Sequence, residues 1–406
     1  MSDYTVNDGN LGGNYNVTTT TATGTITAIG QTITVTTPAP ASAGFYSTFT
    51  VAATGGASGN PVLITTSGGC AGGGSGSATI LMTSGTSTCT VKYNQAASTT
   101  YAAAPEVTNT TTATKATTVT TAQLAVPSPS TAGTSVRVYW SVAATNPATG
   151  SPSGTVTVTS ALSNGASCSA ATTVGYCSIT LIKAGSDTLT ITYGGSSNFT
   201  GSSTTLAQTV NTGSLSTLTL SPATATVTAN TPQAYTVTGA DRYGNATGSA
   251  ITSTTSFSIT NGTCALNVCR STKAGVQTVT AMYGSTKGTA ALTVTADVAA
   301  SLAFGTQPSK TKVNTALSPA PTVRIVDQWG NTVTTSTALV AVRLGSNPTG
   351  ATLSGTLAVN AVNGVATFTN LKINKAGKDY TLQAASPNFT SPVLFGATSN
   401  KFEVRA

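Results

Sequence analysis

Six cysteines are the residues of this chain best suited to covalent chemistry, and they occur in three close pairs. The pairs are Cys70 with Cys89, Cys168 with Cys177, and Cys264 with Cys269. An even number of locally paired cysteines, in a chain without histidine, predicts disulfides rather than a Cys/His zinc site. The alternative is three pairs of buried free thiols in a reducing compartment. If the disulfides form, the compartment is oxidising and the protein is exported.

Acid–base and metal chemistry find little support in the remaining ionisable residues. Without histidine, the Ser-His-Asp, Cys-His and zinc-histidine arrangements are excluded. Catalysis by paired carboxylates needs two acids within ~5 to 10 Å, and calcium linkers need several carboxylates at one junction. The nine acids are instead spread along the chain, at Asp3, Asp8, Glu106, Asp187, Asp241, Asp297, Asp327, Asp379 and Glu403. The sequence therefore predicts no enzyme, no cofactor and no metal site.

Two stretches share the pattern Asp-x-x-Gly-Asn, namely DRYGN at 241–245 and DQWGN at 327–331. An Asp at the first position can accept a hydrogen bond from the backbone two residues on, and Gly-Asn tolerates positive φ. The pattern is therefore typical of a hairpin turn. The alternative is that Tyr243 and Trp329, at the turn tips, contact a partner or the adjoining domain.

The composition indicates a folded, all-β protein. Charged residues are 6% of the chain, against roughly 25% in an average soluble domain, and Thr, Ser, Gly and Asn supply the polarity instead. Because the chain combines 39% apolar residues with few charges, it does not resemble a disordered chain. The net charge of +8 comes from scattered single bases, so we expect no nucleic-acid partner. No apolar stretch approaches ~18 residues, so we expect no membrane insertion.

Lys-Ala-Gly followed by an alternating strand occurs three times and defines a repeat. The glycines are Gly185, Gly275 and Gly377, and a weaker fourth copy has Gly85. From Gly85 onward the spacings are 100, 90 and 102 residues. This period is too long for a solenoid coil and suits a sandwich of about seven strands. We expect each glycine to supply a positive φ at the turn before the penultimate strand.

A tyrosine follows the first three of these glycines by eight residues, at Tyr93, Tyr193 and Tyr283. The fourth copy has an alanine at the equivalent place and Tyr380 earlier. We expect these tyrosines to pack in a core or at a sandwich corner. Trp140, in the alternating stretch SVRVYWSVAA, is also interpreted as a core residue.

The repeats divide the chain into four predicted domains, at 29–115, 116–211, 212–297 and 298–406. Residues 1–28 are too few for a domain, and we interpret them as the closing strand of a preceding repeat or as a donor strand. The linkers are only a few residues long, which predicts domains nearly end on end. With strands of ~10 residues at ~3.3 Å each, a domain is roughly 35 Å long, so four would form an extended rod of about 140 Å.

The chain resembles several kinds of bacterial immunoglobulin-like (Big) repeat. FTVAATGGASGNPVLITT with CTVKYNQAASTTYAAAPEV looks like one type, and GSPSGTVTVTS with LTITYGGSSNFTGSST looks like another. LSTLTLSPATATVTANTPQAYTVTGADRYGNATG is similar to the invasin and intimin type, whereas SLAFGTQPS, VRIVDQWGNTV and GVATFTNLKINKAGKDYTL resemble a fourth. The resemblance implies four tandem immunoglobulin-like β-sandwich domains of a large surface adhesin-type protein. Because such repeats serve as spacers, stalks and tips alike, it implies a fold more than a ligand.

The cysteine spacings depart from the antibody pattern. They are 19, 9 and 5 residues, too short to join two sheets between the usual strands. We therefore expect the disulfides to bridge hairpins or neighbouring strands.

These observations predict a structural stalk or fibre segment of an exported bacterial cell-surface protein, serving adhesion or surface architecture. Its expected partners are neighbouring repeats of a longer chain or other subunits. The first alternative is a self-assembling extracellular filament or sheath subunit, in which residues 1–28 donate a strand to a neighbour's sheet edge. The second alternative is an adhesin tip that binds host or surface glycan or protein through its loops, with the DQWGN turn as the first suspect.

Overall fold

The computed structural model describes residues 18, 20–145, 148–248, 251–386 and 396–406 of the chain. Regular structure in this part consists of strands and one 3-10 helix, Ile251–Thr254. The predicted all-β class is confirmed. Along most strands, buried Val, Ile or Leu alternates with exposed Thr or Ser, because successive side chains of a strand point to opposite faces.

The chain divides into two compact units. Unit 1 comprises residues up to 128, 135–180 and 186–208, and unit 2 comprises 129–134, 181–185 and the residues from 209 on. The strands fall into four groups in chain order, and in the described residues each strand pairs only within its own group.

Strand group 1 lies in unit 1 and consists of nine strands: β1 (Thr34–Thr37), β2 (Ser42–Gly44), β3 (Thr48–Thr54), β4 (Val62–Gly68), β5 (Cys70–Ala71), β6 (Gly74–Ser75), β7 (Ser77–Met82), β8 (Cys89–Gln95) and β9 (Val107–Thr114). They form one sheet in the order β1-β3-β7-β6-β4-β8-β9-β2, with β5 paired to β7. The core of this group includes the fully buried Val51, Ile80, Val91 and Tyr93.

Strand group 2 consists of eight strands: β10 (Thr118–Val126), β11 (Ser130–Thr131), β12 (Ser135–Ala144), β13 (Thr155–Ser160), β14 (Ser167–Ala171), β15 (Tyr176–Thr180), β16 (Gly185–Tyr193) and β17 (Ser202–Asn211). One sheet has the order β10-β12-β15 and the other the order β11-β17-β16-β13-β14. Trp140 is buried, as predicted, together with Val136, Val158 and Ile191.

Strand group 3 lies in unit 2 and consists of nine strands: β18 (Leu215–Ser221), β19 (Thr224–Thr228), β20 (Gln233–Ala234), β21 (Thr236–Asp241), β22 (Ser256–Ile259), β23 (Gly262–Ala265), β24 (Val268–Ser271), β25 (Gly275–Tyr283) and β26 (Thr286–Thr295). Three sheets have the orders β18-β21, β19-β26-β25-β22 and β20-β24-β23. Tyr235, Val279 and Leu292 lie in their shared core.

Strand group 4 also lies in unit 2 and consists of twelve strands: β27 (Ser301–Phe304), β28 (Thr311–Lys312), β29 (Thr322–Val326), β30 (Leu339–Leu344), β31 (Leu353–Ser354), β32 (Ala358–Asn360), β33 (Val365–Thr367), β34 (Lys372–Ile373), β35 (Gly377–Tyr380), β36 (Leu382–Ala385), β37 (Ala397–Thr398) and β38 (Phe402–Arg405). The sheets are β27-β29-β33, β28-β38-β35, β32-β30-β36-β37 and β31-β34. Ile325, Phe368 and Tyr380 are fully buried in the core.

One strand pairing recurs in all four groups. The second strand of each group runs parallel to its last strand, in the pairs β2 with β9, β11 with β17, β19 with β26, and β28 with β38. The first strand of each group is antiparallel to a later one, in the pairs β1 with β3, β10 with β12, β18 with β21, and β27 with β29. This recurrence supports the division into four domains, which stays a prediction.

Three disulfides join the close cysteine pairs. Cys264 and Cys269 face each other across the β23–β24 hairpin. Cys168 and Cys177, however, lie on β14 and β15, which belong to the two different sheets of group 2. This disulfide therefore joins two sheets, but between consecutive strands rather than the usual ones, because the chain crosses from one sheet to the other within the short connection between β14 and β15.

The repeat glycines have two different roles. Gly185 and Gly275 open β16 and β25 at φ 137° and 117°, as predicted. Gly85 and Gly377 do not have positive φ, so the prediction is wrong for them. Both are instead places of close approach, because an added Cβ would lie 2.8 Å from Cα of Asn198 and 2.8 Å from Cγ2 of Thr349, respectively.

The repeat tyrosines are buried in three groups and exposed in one. Tyr93, Tyr193 and Tyr380 have exposures of 0, 1 and 0%. Tyr283 is 41% exposed, contrary to the prediction. It ends β25 at a tight hairpin in which it pairs with Thr286, so its side chain lies beyond the edge of the core.

The prediction for residues 1–28 falls largely outside the described residues, which exclude 1–17 and 19. Residues 20–28 are exposed and lie in no strand.

Candidate functional site

The DRYGN turn follows β21 and is organised by a buried carboxylate. Oδ1 of Asp241 accepts hydrogen bonds from the N–H groups of Tyr243, at 2.8 Å, and Asn245, at 3.0 Å. Oδ2 accepts from Nδ2 of Asn245, at 2.9 Å, and from N–H of Gly213, at 2.8 Å, in the segment before β18. Burial raises the pKa of Asp241, but hydrogen bonds from the Asn245 side chain and the three backbone N–H groups outweigh burial and lower that pKa to about 2.

The Asn245 carboxamide is held by Asp241 and binds another loop of unit 2. Its Oδ1 accepts a hydrogen bond from N–H of Ala184, at 3.0 Å, and its Nδ2 donates to the carbonyl of Ile182, at 2.7 Å. These two backbone groups flank Lys183 of the Lys-Ala-Gly sequence. The amide side chain therefore satisfies a donor and an acceptor of that loop at once.

Tyr243 packs on the backbone of unit 2 at Gly133. A Cβ added to Gly133 would clash with the Tyr243 ring and hydroxyl, so only glycine permits this approach. The guanidinium of Arg242 lies 4.6 Å from the centre of the Tyr243 ring, within the range of a cation–π contact. Gly133, Arg242 and Tyr243 also line an open pocket of unit 2 that includes Asp241.

The DQWGN turn follows β29 and repeats the same bonds. Oδ1 of Asp327 accepts from the N–H groups of Trp329 and Asn331, both at 2.9 Å. Oδ2 accepts from Nδ2 of Asn331, at 2.8 Å, and from N–H of Asp297, at 2.9 Å. Burial raises the pKa of Asp327, but hydrogen bonds from the Asn331 side chain and the three N–H groups lower it below its ordinary value overall.

Asn331 then binds the Lys-Ala-Gly loop of group 3. Its Oδ1 accepts from N–H of Ala274, at 2.8 Å, and its Nδ2 donates to the carbonyl of Thr272, at 2.7 Å. We call this four-atom arrangement, in which an Asn carboxamide bonds a loop N–H and C=O, the Asn clamp. Asn245 and Asn331 form the two Asn clamps of unit 2.

The loop that receives the clamp is also held by a backbone hydrogen bond from a residue at positive φ, which we call the brace. In group 3 this residue is Asn230, with φ 67°, whose N–H donates to the carbonyl of Ser271 at 2.7 Å. In the clamp at Asn245 it is Gly133, with φ 86°, whose N–H donates to Leu181 at 2.7 Å. Such conformations favour Gly and Asn.

Within unit 1 a different loop fastens group 1 to group 2. N–H of Gly85 donates to Oδ1 of Asn198, at 2.9 Å. N–H of Ala116, between β9 and β10, donates to the backbone carbonyl of Asn198, also at 2.9 Å. The buried Phe199 ring meets Phe45 edge to face, with 5.3 Å between ring centres.

Of the residues predicted as possible partner contacts, the structure places Tyr243 against Gly133 and leaves Trp329 41% exposed. What the sequence interpretation missed is the part played by the final Asn of each Asp-x-x-Gly-Asn turn. A usable signal was present, because both turns lie about 60 residues after a Lys-Ala-Gly sequence.

The described residues contain no cluster of three or more Cys, Asp or Glu side chains placed to hold a metal ion. Among the same residues, no helix has the length and apolar character needed to cross a membrane.

Comparison with known proteins gives similarities among solved structures. No family model matches the chain, and no curated protein matches it. The Escherichia coli adhesin FdeC is 20% identical over 72% of this chain and 97% of that chain, with a TM-score of 0.29. Invasin, a bacterial integrin-binding protein, is 14% identical over 92% of this chain and 79% of that chain, with a TM-score of 0.30.

A third similar structure is the surface layer protein SbsC, domains 1–6. It is 19% identical over 92% of this chain and 54% of that chain, with a TM-score of 0.24. This chain therefore spans about half of that structure. The all-β class rests on the strands described above, and membership of the bacterial immunoglobulin-like repeats stays a prediction.

Proposed function

We propose that the chain is a non-catalytic structural stalk segment of an exported bacterial surface protein. Four immunoglobulin-like sandwiches, at 29–115, 116–211, 212–297 and 298–406, follow one another in a rod. Its function is mechanical, because it keeps the parts of the surface protein at its two ends at a fixed distance and orientation. Its partners are adjoining repeats.

The Asn331 clamp is the observation that carries the proposal. It joins strand groups 3 and 4 through two hydrogen bonds to the Thr272–Ala274 loop. Asp327 holds both the clamp residue and N–H of Asp297 in the linker. A single buried carboxylate thus couples the turn, the linker and the preceding loop. Such a coupled set of hydrogen bonds is not expected in a flexible chain of independent domains.

The energy of a clamp is sufficient to stiffen a linker. Two hydrogen bonds at ~1 kcal/mol each give about 2 kcal/mol, which favours the docked arrangement over an undocked one by a factor of about 30. The braced loop on one side and the Asp-held Asn on the other are ordered before they meet, so little conformational entropy is lost on docking.

The three disulfides support export, because such bonds persist in oxidising compartments. They also stabilise the folded domains by restricting the unfolded chain. Thiol labelling of the native protein from its host tests this point. Unlabelled cysteines that become reactive only after reduction support export, whereas cysteines labelled without reduction count against it.

Electron microscopy of the oxidised chain tests the stalk directly. We expect single particles about 140 Å long at every concentration. The variant with both Asn245→Ala and Asn331→Ala should give bent particles with a wide spread of end-to-end distances. Asn347→Ala is the matched control, because Asn347 caps a local turn at Ala351 within group 4 and takes no part in a clamp. Compact particles, or double variants as straight as the control, would refute the proposal.

The two alternatives remain predictions with separate tests. A filament subunit that uses residues 1–28 as a donor strand should form ordered filaments that disappear when those residues are deleted. A binding tip that uses Trp329 should lose cell or glycan binding on Trp329→Ala. Binding that survives this change counts against the tip.

A further inference from the structure

We infer that the loop Asn374–Gly377 in group 4 is a docking site for a further Asp-x-x-Gly-Asn turn, presented by a β-sandwich domain joined in series after β38. The inference rests on the proposed tandem function and extends it by naming a third clamp-receiving surface. It is carried by the Lys-Ala-Gly sequence that this loop shares with the two occupied loops.

The receiving atoms are the same in all three loops. In the occupied loops they are N–H of the alanine and C=O of the residue before the lysine, which are Ala184 with Ile182 and Ala274 with Thr272. In the third loop the corresponding atoms are N–H of Ala376 and C=O of Asn374. Among the described residues, neither of these two atoms has a hydrogen bond.

The third loop is braced in the same way as the other two. Asn314, with φ 57°, donates its N–H to the carbonyl of Ile373 at 2.9 Å. This bond corresponds to those of Gly133 and Asn230 behind the occupied loops. The brace behind the receiving atoms is therefore present in group 4, although Gly377 lacks the positive φ of Gly185 and Gly275.

Two side chains also hold the third loop in shape. The hydroxyl of the buried Tyr380 donates to the carbonyl of Lys375 at 3.1 Å. Oδ1 of Asn374 accepts from N–H of Thr352 at 2.7 Å. A loop fixed in this way requires little ordering when a partner binds.

Both receiving residues of the third loop, Asn374 and Ala376, are exposed. Of the four receiving residues in the occupied loops, Ala184, Thr272 and Ala274 are partly covered, and Ile182 is exposed. An exposed donor and acceptor, fixed 2 residues apart on a braced loop, match the Nδ2 and Oδ1 atoms of an Asn side chain.

The linker bonds identify the source of the docking turn. In each clamp the Asp that holds the Asn also accepts from an N–H of the linker just before its own domain, Gly213 for Asp241 and Asp297 for Asp327. The turn therefore belongs to the domain directly following the receiving loop. This chain's own two turns are already engaged, so a second copy of the chain offers no free turn of this type.

Four backbone amides allow each junction to be followed separately. Labelling lysine with carbonyl ¹³C and alanine with ¹⁵N selects only Lys-Ala amides, and the chain has four, at Ala116, Ala184, Ala274 and Ala376. The first three donate to Asn198, Asn245 and Asn331. The fourth reports the free loop.

The first experiment adds a probe peptide to the full labelled chain. The probe is a backbone-cyclised peptide of residues 324–334, which carries the DQWGN turn, and its control has the change Asn331→Ala. We expect the Ala376 signal to shift and saturate in the millimolar range, while the other three signals stay fixed. An equal shift with the control peptide overturns the inference.

The second experiment does not depend on the peptide holding its turn. Residues 296–406 are appended after Arg405, so that a copy of group 4 follows the native linker. The amide of the first Ala376 should then exchange at least about 10-fold more slowly than the amide of the appended Ala376, because no turn docks on the appended loop. Asn331→Ala in the appended copy should abolish this difference.

The results separate the inference from the proposed function. If Ala184 and Ala274 are protected but the first Ala376 exchanges as fast as the appended one, the inference is wrong and the stalk stands. If Ala184 and Ala274 are themselves unprotected, the stalk proposal fails. Protection of Ala376 that grows with concentration of the unextended chain would assign the site to a second copy and overturn the series arrangement.

Discussion

The fastening within unit 1 and the clamps of unit 2 perform the same three tasks with different residues. Each holds an N–H of the preceding loop, holds an N–H of the linker and places an aromatic ring nearby. In unit 1 Asn198 does the first two alone, through its side chain for Gly85 and its backbone carbonyl for Ala116. In unit 2 the tasks are divided between an Asn and a buried Asp.

The difference shows which kind of interdomain contact can be recognised from a sequence. Any residue can supply a backbone carbonyl, so the sequence around Asn198 gives little sign that this residue binds Gly85 and Ala116. The clamps need a carboxylate, a carboxamide and a glycine at positive φ, so their pattern recurs as Asp-x-x-Gly-Asn. The unit 1 fastening is neutral and relies on ring packing, whereas the clamps depend on an ionised group.

The largest effect is expected from Phe199→Ala in unit 1. Removing this buried ring leaves a cavity beside Phe45 and should destabilise unit 1 by about 3 to 4 kcal/mol. Phe199→Leu, which keeps most of the volume, should cost less than about 1.5 kcal/mol. Denaturant unfolding followed by hydrogen exchange of peptides from each unit measures both. Unchanged exchange around Gly85 and Ala116 would show that the ring is not the main fastening.

Reduction of the disulfides should affect the two units unequally. In unit 1 the Cys70–Cys89 and Cys168–Cys177 bonds close loops of 19 and 9 residues and should contribute about 3 and about 2.5 kcal/mol. In unit 2 the 5-residue Cys264–Cys269 loop should contribute about 2 kcal/mol. Peptide-resolved exchange with and without reductant gives the comparison. A larger loss in unit 2 would contradict this order.

Asp327→Ala should destabilise the end of group 4 that bears the turn by about 2 to 3 kcal/mol. The change removes the acceptor of four hydrogen bonds and leaves buried donors unsatisfied. Asp297→Ala is the matched control, because it keeps the linker N–H and loses only a 3.3 Å bond from Gln328. Chemical denaturation measures both variants, and equal effects would remove the special role of the buried carboxylate.

Acid should loosen the clamps and spare the fastening of unit 1. Because the folded-state pKa of Asp241 is lowered to about 2, its stabilisation is complete above the unfolded pKa of ~3.9 and is lost as the pH falls through about 2. Protection of the Ala184 amide, corrected for intrinsic exchange, should fall over this range. Because the pKa of Asp327 is also lowered, protection of the Ala274 amide should likewise be lost on acidification below the unfolded pKa. Ala116, bonded to neutral Asn198, should keep its protection. A parallel loss at all three amides would show general acid unfolding instead.

The smallest effect is expected from Trp329→Ala. The side chain is 41% exposed, and the turn bonds through its backbone N–H, which alanine retains. Stability should change by less than about 0.5 kcal/mol. Thermal unfolding measures this change. A loss above about 1.5 kcal/mol would mean that the ring packs at the junction, as Tyr243 does on Gly133.

The all-β class could be predicted from the alternation of Thr with Val, Ile and Leu, because a half-buried strand has that period. Turn formation at Asp241 and Asp327 could also be predicted, because it depends on residues close in sequence. The clamp partners are harder to predict, since Asn331 and Ala274 lie 57 residues apart and the sequence hints at their contact only through the similar spacing of both turns after Lys-Ala-Gly. The exposure of Tyr283 could not be predicted, because it depends on where β25 ends.

Amide exchange at Ala274 in the Asn331→Ala variant tests the central claim most directly. Ala274 should exchange at least about 10-fold faster than in the unchanged protein, because the acceptor that it has among the described residues is lost. Ala184 and Ala116 in the same molecule should keep their rates. If Ala274 stays as protected as before while the protein is folded, the Asn side chain does not hold the loop, and the clamp is not what joins groups 3 and 4.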